Sequence, residues 1–167
     1  MTYLPTILKG KMSVYIVYNT QDQSTSSTNY VDFSFNSGHK TLINQFSVHI
    51  NVDNTNNKIT LPAGKFYLDA RLYVMRESTS SGWGAEYIWY TWDGSSRTSI
   101  GYEGREVGSV AIGDPHKNEH ARAYIESDGT TVIGLQFKSI TGDYIEVSDT
   151  TWDDYGGQSR LMIWKIE

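Results

Sequence analysis

An antiparallel all-β sandwich or barrel is what the sequence predicts, and three observations carry that reading. Apolar residues alternate with polar ones along most of the chain, aromatic and β-branched side chains are abundant, and turn-forming residues separate the apolar runs. Twelve Tyr, five Trp and five Phe in 167 residues suit a pleated, half-buried surface, while three Pro and fifteen Gly leave strands intact and turns well supplied. That length fits one domain, which buries roughly 70 % of the surface its unfolded chain exposes.

The strands follow in order. Met12–Tyr18 opens the series. Val31, Phe33 and Phe35 alternate with Tyr30, Asp32 and Ser34; Phe46, Val48, Ile50 and Val52 alternate with Ser47, His49, Asn51 and Asp53. Phe66, Leu68, Ala70, Leu72 and Val74 form a fully apolar face, as do Ile133, Leu135 and Phe137 after Thr131. Glu86–Trp92, Tyr144–Val147 and Arg160–Ile166 complete the set. Turns fall at Asp53–Asn57, Glu77–Gly84, Asp93–Ser96, Ser127–Gly129 and Asp149–Gly157. Asp114–Ile125 breaks the pattern: Asp114 and Pro115 suit the start of a short helix, whereas Ala121–Ile125 suits an edge strand equally. The polar tract Gln21–Asn29 marks residues 1–29 as an N-terminal arm or docking segment, with the β domain spanning residues 30–167.

Composition narrows the function classes. A formal charge of −5 argues against a nucleic-acid binder, which needs a clustered basic surface. The absence of Cys excludes thiol catalysis and thiolate metal sites. No apolar run approaches the ~20 residues of a membrane helix, and Pro5, Lys9 and Lys11 interrupt the stretch where a signal-peptide core would sit. No membrane insertion and no export signal are expected.

Catalytic motifs are weak. His116, Glu119 and His120 match H-x-x-E-H, a spacing that on a helix sets two imidazoles and a carboxylate around zinc. Nothing else in the sequence supplies the third ligand that such enzymes draw from a second helix, so a solvated turn is the plainer reading. Asp149, Asp153, Asp154 and Asp128 could offer calcium its oxygens, but without an EF-hand spacing they read as ordinary turn aspartates. No nucleophile elbow, phosphate loop or dinucleotide fingerprint occurs. A non-enzymatic protein without cofactor or metal is expected.

Aromatic residues are more informative. Trp83, Tyr87, Trp89, Tyr90 and Trp92 crowd one segment, and Trp152 and Tyr155 sit in an Asp/Gly-rich loop. Trp and Tyr offer sugar rings an apolar face with a polar edge, which makes Trp152, Tyr155 and Trp83 candidate ligand-binding residues. The strand around Leu68 carries a second face of Lys65, Tyr67, Asp69, Arg71, Tyr73 and Met75. The last strand is apolar on both sides, Leu161 and Ile163 on one and Met162, Trp164 and Ile166 on the other. Such strands want cover on both faces. Full exposure of Tyr67, Tyr73, Met75, Met162 and Trp164 would open roughly 500–750 Å², at or above the largest patch of most monomers. A second copy of the sheet, or Met1–Tyr18 folded over it, would provide that cover.

These residues carry a family resemblance. K-I-T-L-P-A-G-K-F-Y-L-D-A-R-L-Y-V at Lys58–Val74 resembles the central strand of the complement-type globular head and of tumour-necrosis-factor-like jelly rolls, with Pro62 and Gly64 shaping the turn into it and Phe66 at the usual aromatic. Y-I-W-Y-T-W-D-G at Tyr87–Gly94 is similar to the next family strand, and Q-S-R-L-M-I-W-K-I at Gln158–Ile166 resembles the closing one. The closing-strand signature of the animal members is absent, so their ligands are not implied. The L-P-A-G and S-R-L-x-I-W wording is more similar to versions in bacteriophage tail-fibre tips and capsid appendages. The resemblance implies an antiparallel jelly-roll sandwich assembled as a homotrimer, with the first, last and L-P-A-G strands around the axis. On that reading Tyr67, Asp69, Arg71, Tyr73, Met162 and Trp164 line the subunit contact. The expected function is a virion module for decoration or host attachment, with other virion proteins and a host surface glycan as partners. The alternative is a monomeric carbohydrate- or small-ligand-binding module.

Overall fold

The computed structural model describes residues 13–18, 23–35, 40–44, 50–76, 83–108, 117–147 and 159–166, and no helix occurs among them. The early strands are β1 (Ser13–Tyr18), β2 (Gln23–Thr25), β3 (Val31–Asp32), β4 (Lys40–Asn44), β5 (Asn51–Asp53) and β6 (Lys58–Thr60). β7 (Ala63–Arg71), β8 (Val74–Arg76), β9 (Trp83–Trp92) and β10 (Arg97–Gly108) form the middle of the chain. β11 (Lys117–Glu119), β12 (Ala121–Asp128), β13 (Val132–Ser139), β14 (Ile145–Val147) and β15 (Arg160–Ile166) complete it.

One antiparallel path, β4-β1-β15-β7-β12-β10-β9-β13-β6-β5, curls into two leaves. β11 joins it beside β10 and β3 beside β13, while β2, β14 and β8 make a separate three-stranded sheet. The first leaf runs from β4 to β12 and the second from β10 to β5. β10 pairs with β9 along its length, and Tyr102 bridges to Arg122 of β12 where the β9 register shifts between Ile100 and Gly104. A bulge here lets one strand serve both leaves. Gly101 makes it feasible: its φ is +75°, and a Cβ there would lie 2.0 Å from the Arg122 carbonyl oxygen.

Period-two alternation decides what lies between the leaves. Phe66, Leu68 and Ala70 of β7 and Leu161 and Ile163 of β15 turn inward from the first leaf. Tyr87 and Trp89 of β9 and Ile133, Leu135 and Phe137 of β13 meet them from the second, in a single core. The polar ends of the buried aromatics are satisfied: Tyr87 OH donates to the Glu119 carbonyl at 2.7 Å and Trp89 Nε1–H to that of Ala121 at 3.2 Å. Burial accordingly holds the Tyr87 phenol well above its ordinary pKa.

Of the expected arm, Ser13–Tyr18 pairs residue for residue with β15 and Gln23–Thr25 pairs with β14. These segments lengthen sheets edge to edge, so Ser13–Tyr18 does not lie across the face of β15. Ala121–Asp128 is a strand, paired with β7 over its whole length. His116, Phe46, Val48, Trp152, Tyr155 and the Asp149–Gly157 turn lie outside the described residues.

Candidate interaction face

Strand pairing places five of the six expected contact residues side by side on the outward face of the first leaf. Met162 is opposite Asp69, Trp164 opposite Tyr67, and Arg160 opposite Arg71. On the other flank of β7, Tyr124 is opposite Tyr67 and Arg122 opposite Asp69. Paired residues in an antiparallel sheet share a face. The result is an aromatic row, Trp164–Tyr67–Tyr124, beside a second row of Met162, Asp69, Arg122 and Tyr102. Tyr67 and Trp164 stack with centroids 5.4 Å apart and planes 7° from parallel. Tyr73 lies beyond the end of β7, half-buried, with its N–H donating to Ser159 Oγ at 2.9 Å.

This face is less open at the expected positions than full exposure would make it. Met162 is buried, and stacking leaves Tyr67 and Trp164 half-buried. Its open area comes instead from Tyr102, 81 % exposed, Tyr124, 55 %, and Ile166, 40 %. Two acids gather charge on the face. Glu126, exposed, takes Lys65 Nζ at 3.2 Å and the Tyr124 hydroxyl at 3.3 Å. Asp69, 6 % exposed, takes His120 Nδ1 at 2.9 and 3.1 Å and Arg122 Nε at 3.5 Å. His120 is thus oriented by a carboxylate, while Glu119 beside it is exposed. Among the described residues no three His, Asp or Glu converge as a metal site would require.

The outward face of the second leaf is built differently: among the described residues three of its aromatic rings carry a cation. Lys58 Nζ lies 4.5 Å from the Trp92 ring centre, the Arg97 guanidinium 5.4 Å from Tyr90 and Lys138 Nζ 4.6 Å from Tyr30. Carboxylates tie two of these cations down: Asp32 bonds Arg97 at 2.8 Å and the Tyr90 hydroxyl at 2.8 Å, and Glu86 holds Lys138 at 2.8 Å. Tyr30 OH donates to Glu103. Burial and these acids hold the Tyr90 and Tyr30 phenols above their ordinary range. Tyr90 is fully buried although it points away from the core, since its ring lies against Gly134, where a Cβ would come within 2.4 Å. Trp83 begins β9 at the far end of the same strand.

Between the leaves sits a buried acid that the sequence did not single out. Glu106 is 2 % exposed, its Oε2 accepts the Val74 N–H at 3.3 Å, and burial pushes its carboxyl up to about 8.

An antiparallel two-leaf sandwich with this strand order defines a tumour-necrosis-factor-like jelly roll, the fold that the L-P-A-G strand suggested. The murine APRIL crystal structure at pH 5.0 superimposes with a TM-score of 0.58, over 93 % of this chain and 99 % of that one, at 10 % identity. The structure of Eiger TNF from S. frugiperda does so with a TM-score of 0.55, over 93 % of both chains, also at 10 % identity. No protein-family model matches the sequence, and no curated protein does.

Proposed function

We propose that the chain is a non-enzymatic, homotrimeric jelly-roll module of a bacteriophage virion, displayed for host attachment or as a decoration of the particle. The single observation that supports self-association is the aromatic row Trp164–Tyr67–Tyr124 with open Tyr102 and Ile166 beside it. Tyr and Trp in such rows are the residues that dominate protein interfaces when desolvated. The second leaf, whose rings are capped by bonded cations, suits water. A face used up by identical copies in a closed ring leaves no open end to polymerise, which a threefold assembly satisfies. The virion assignment draws on the resemblance of L-P-A-G and S-R-L-x-I-W to phage appendage proteins.

Sedimentation at micromolar concentration tests assembly. A mass of about 57 kDa, three times 18.9 kDa, supports the reading; 18.9 kDa would replace it with a monomeric binding module. For the biological role, phage particles lacking the protein are expected to lose adsorption or shell stability, and particles unchanged in both would overturn it.

A further inference from the structure

At one end of the second leaf, outside the aromatic row, a cleft of about 360 Å³ opens between the β5–β6 turn and the β9–β10 turn. Its size is in the range of small-ligand sites. The polar walls are Asp53, Asn56, Lys58 and Thr60, and the apolar walls are Trp92 and Val132, with Gly94 at the rim. We propose that this cleft binds an uncharged saccharide.

The chemistry of the walls argues for that class. Asp53 and Lys58 contribute one charge of each sign, so the cleft selects neither an anion nor a cation. Both still offer hydrogen-bonding capacity. Asp53 Oδ2 takes one bond, from Asn56 Nδ2 at 2.8 Å, and Lys58 Nζ gives one, to the Asn56 carbonyl at 2.9 Å. A carboxylate oxygen accepts about two and an ammonium donates three, so acceptor and donor both remain for a hydroxyl-rich ligand. Thr60 adds a hydroxyl of either sense. Val132 and the part of the Trp92 ring that Lys58, 4.5 Å from its centre, leaves open receive the C–H faces that a sugar ring presents between its hydroxyls.

The walls are also preorganised. Asp53 Oδ1 accepts the N–H groups of Thr55 and Asn56 at 3.0 Å each, which fixes the β5–β6 turn. The Asn56 side-chain amide first, and then these backbone bonds, hold the Asp53 carboxyl below the usual carboxylate range, so it stays an acceptor in mildly acid solution. Across the cleft, Asp93 Oδ1 pins the opposite turn through the N–H groups of Ser95 and Ser96 at 2.8 and 2.7 Å. A ligand therefore meets a site that orders little on binding.

This inference deepens the attachment reading, resting on it for the biological source of the sugar but not for the site. The test is saturation-transfer NMR and array binding of the full chain, probed with glucose, galactose and N-acetylglucosamine and their short oligomers. N-acetylneuraminic acid serves as the charged comparison. Neutral sugars are expected to bind, and Lys58→Gln and Trp92→Ala each to weaken that binding about tenfold or more, as loss of a charged hydrogen bond or an aromatic wall does. Sedimentation of the same samples is expected to give unchanged mass, which separates a failed cleft from a failed assembly. Binding that survives both substitutions, a preference for N-acetylneuraminic acid, or a correctly assembled wild type that takes up none of the neutral sugars would overturn the proposal.

Discussion

The two outward faces of this sandwich have similar raw material and different finish. Both present Tyr and Trp among Lys, Arg and acids. On the second leaf the cations lie over the rings, with acids bonded to two of them, so Tyr90 is buried without any layer above it. On the first leaf Arg122 and His120 turn instead to the buried Asp69 and Lys65 to Glu126, which also takes the Tyr124 hydroxyl, so among the described residues the Tyr67–Trp164 stack has no cation over it. The difference teaches that exposure of aromatics in a sheet is settled by where the cations are drawn, not by how many are present. A surface whose rings already carry their own cations offers less to a large partner than one whose rings do not, though a partly open ring such as Trp92 still leaves room for a small ligand.

The sharpest way to break the comparison is to put a charge on each face in turn. Trp164→Arg on the first leaf is expected to abolish the trimer, since an interface Trp commonly contributes 2 kcal/mol or more, about thirtyfold in affinity per contact. Trp92→Arg on the second leaf is expected to leave the sedimenting mass unchanged. Equal effects at both positions would erase the distinction between the faces.

The next largest effect lies beneath both faces, at Glu106. Its carboxyl is raised to about 8 in the folded chain from an ordinary 4.5, so the native state holds a proton that the unfolded state releases. Stability therefore declines as pH rises from about 4.5 to about 8 and levels off above. Glu106→Gln is expected to flatten that decline, matching wild type near pH 4.5 and exceeding it above pH 8 by roughly 3–5 kcal/mol. Urea unfolding at a series of pH values reads this directly, and an unchanged slope would contradict it.

At the joint between the leaves, Gly101→Ala is expected to cost roughly 2–3 kcal/mol, because the left-handed backbone is strained for Ala and the new methyl meets the Arg122 carbonyl. A midpoint shift in urea without change of slope would confirm it. The smallest effect belongs to the capping network itself. Arg97→Ala, at a half-exposed pair with Asp32, is expected to change stability by about 1 kcal/mol or less while making Tyr90 more accessible to iodination.

Much of this was legible in the sequence, for identifiable reasons. Strands with strict alternation stood out: Arg160–Ile166 is β15 residue for residue, and Phe66, Leu68, Ala70, Leu72 and Val74 are all buried. β10 did not stand out although it is the longest strand, because Gly101, Gly104 and Glu106 interrupt its apolar period where it bulges between leaves. Tyr124 was missed from the interaction face because Asp114 and Pro115 suggested a helix. The alternation of Ala121, Ala123 and Ile125 with Arg122, Tyr124 and Glu126 was the signal that places it. Tyr102 has no such signal, since its exposure follows from the bulge. Asp69 and Glu106 could be seen as acids, but their burial depends on partners distant in the chain.

Hydroxyl-radical footprinting read residue by residue compares the two faces most directly. Across a dilution series spanning assembly, oxidation of Trp164, Tyr67 and Tyr124 is expected to fall severalfold as the chain associates, while Trp92 stays constant. If all four were oxidised at rates independent of concentration, in a sample whose mass rises to that of a trimer, the first leaf would not be the face that identical copies cover.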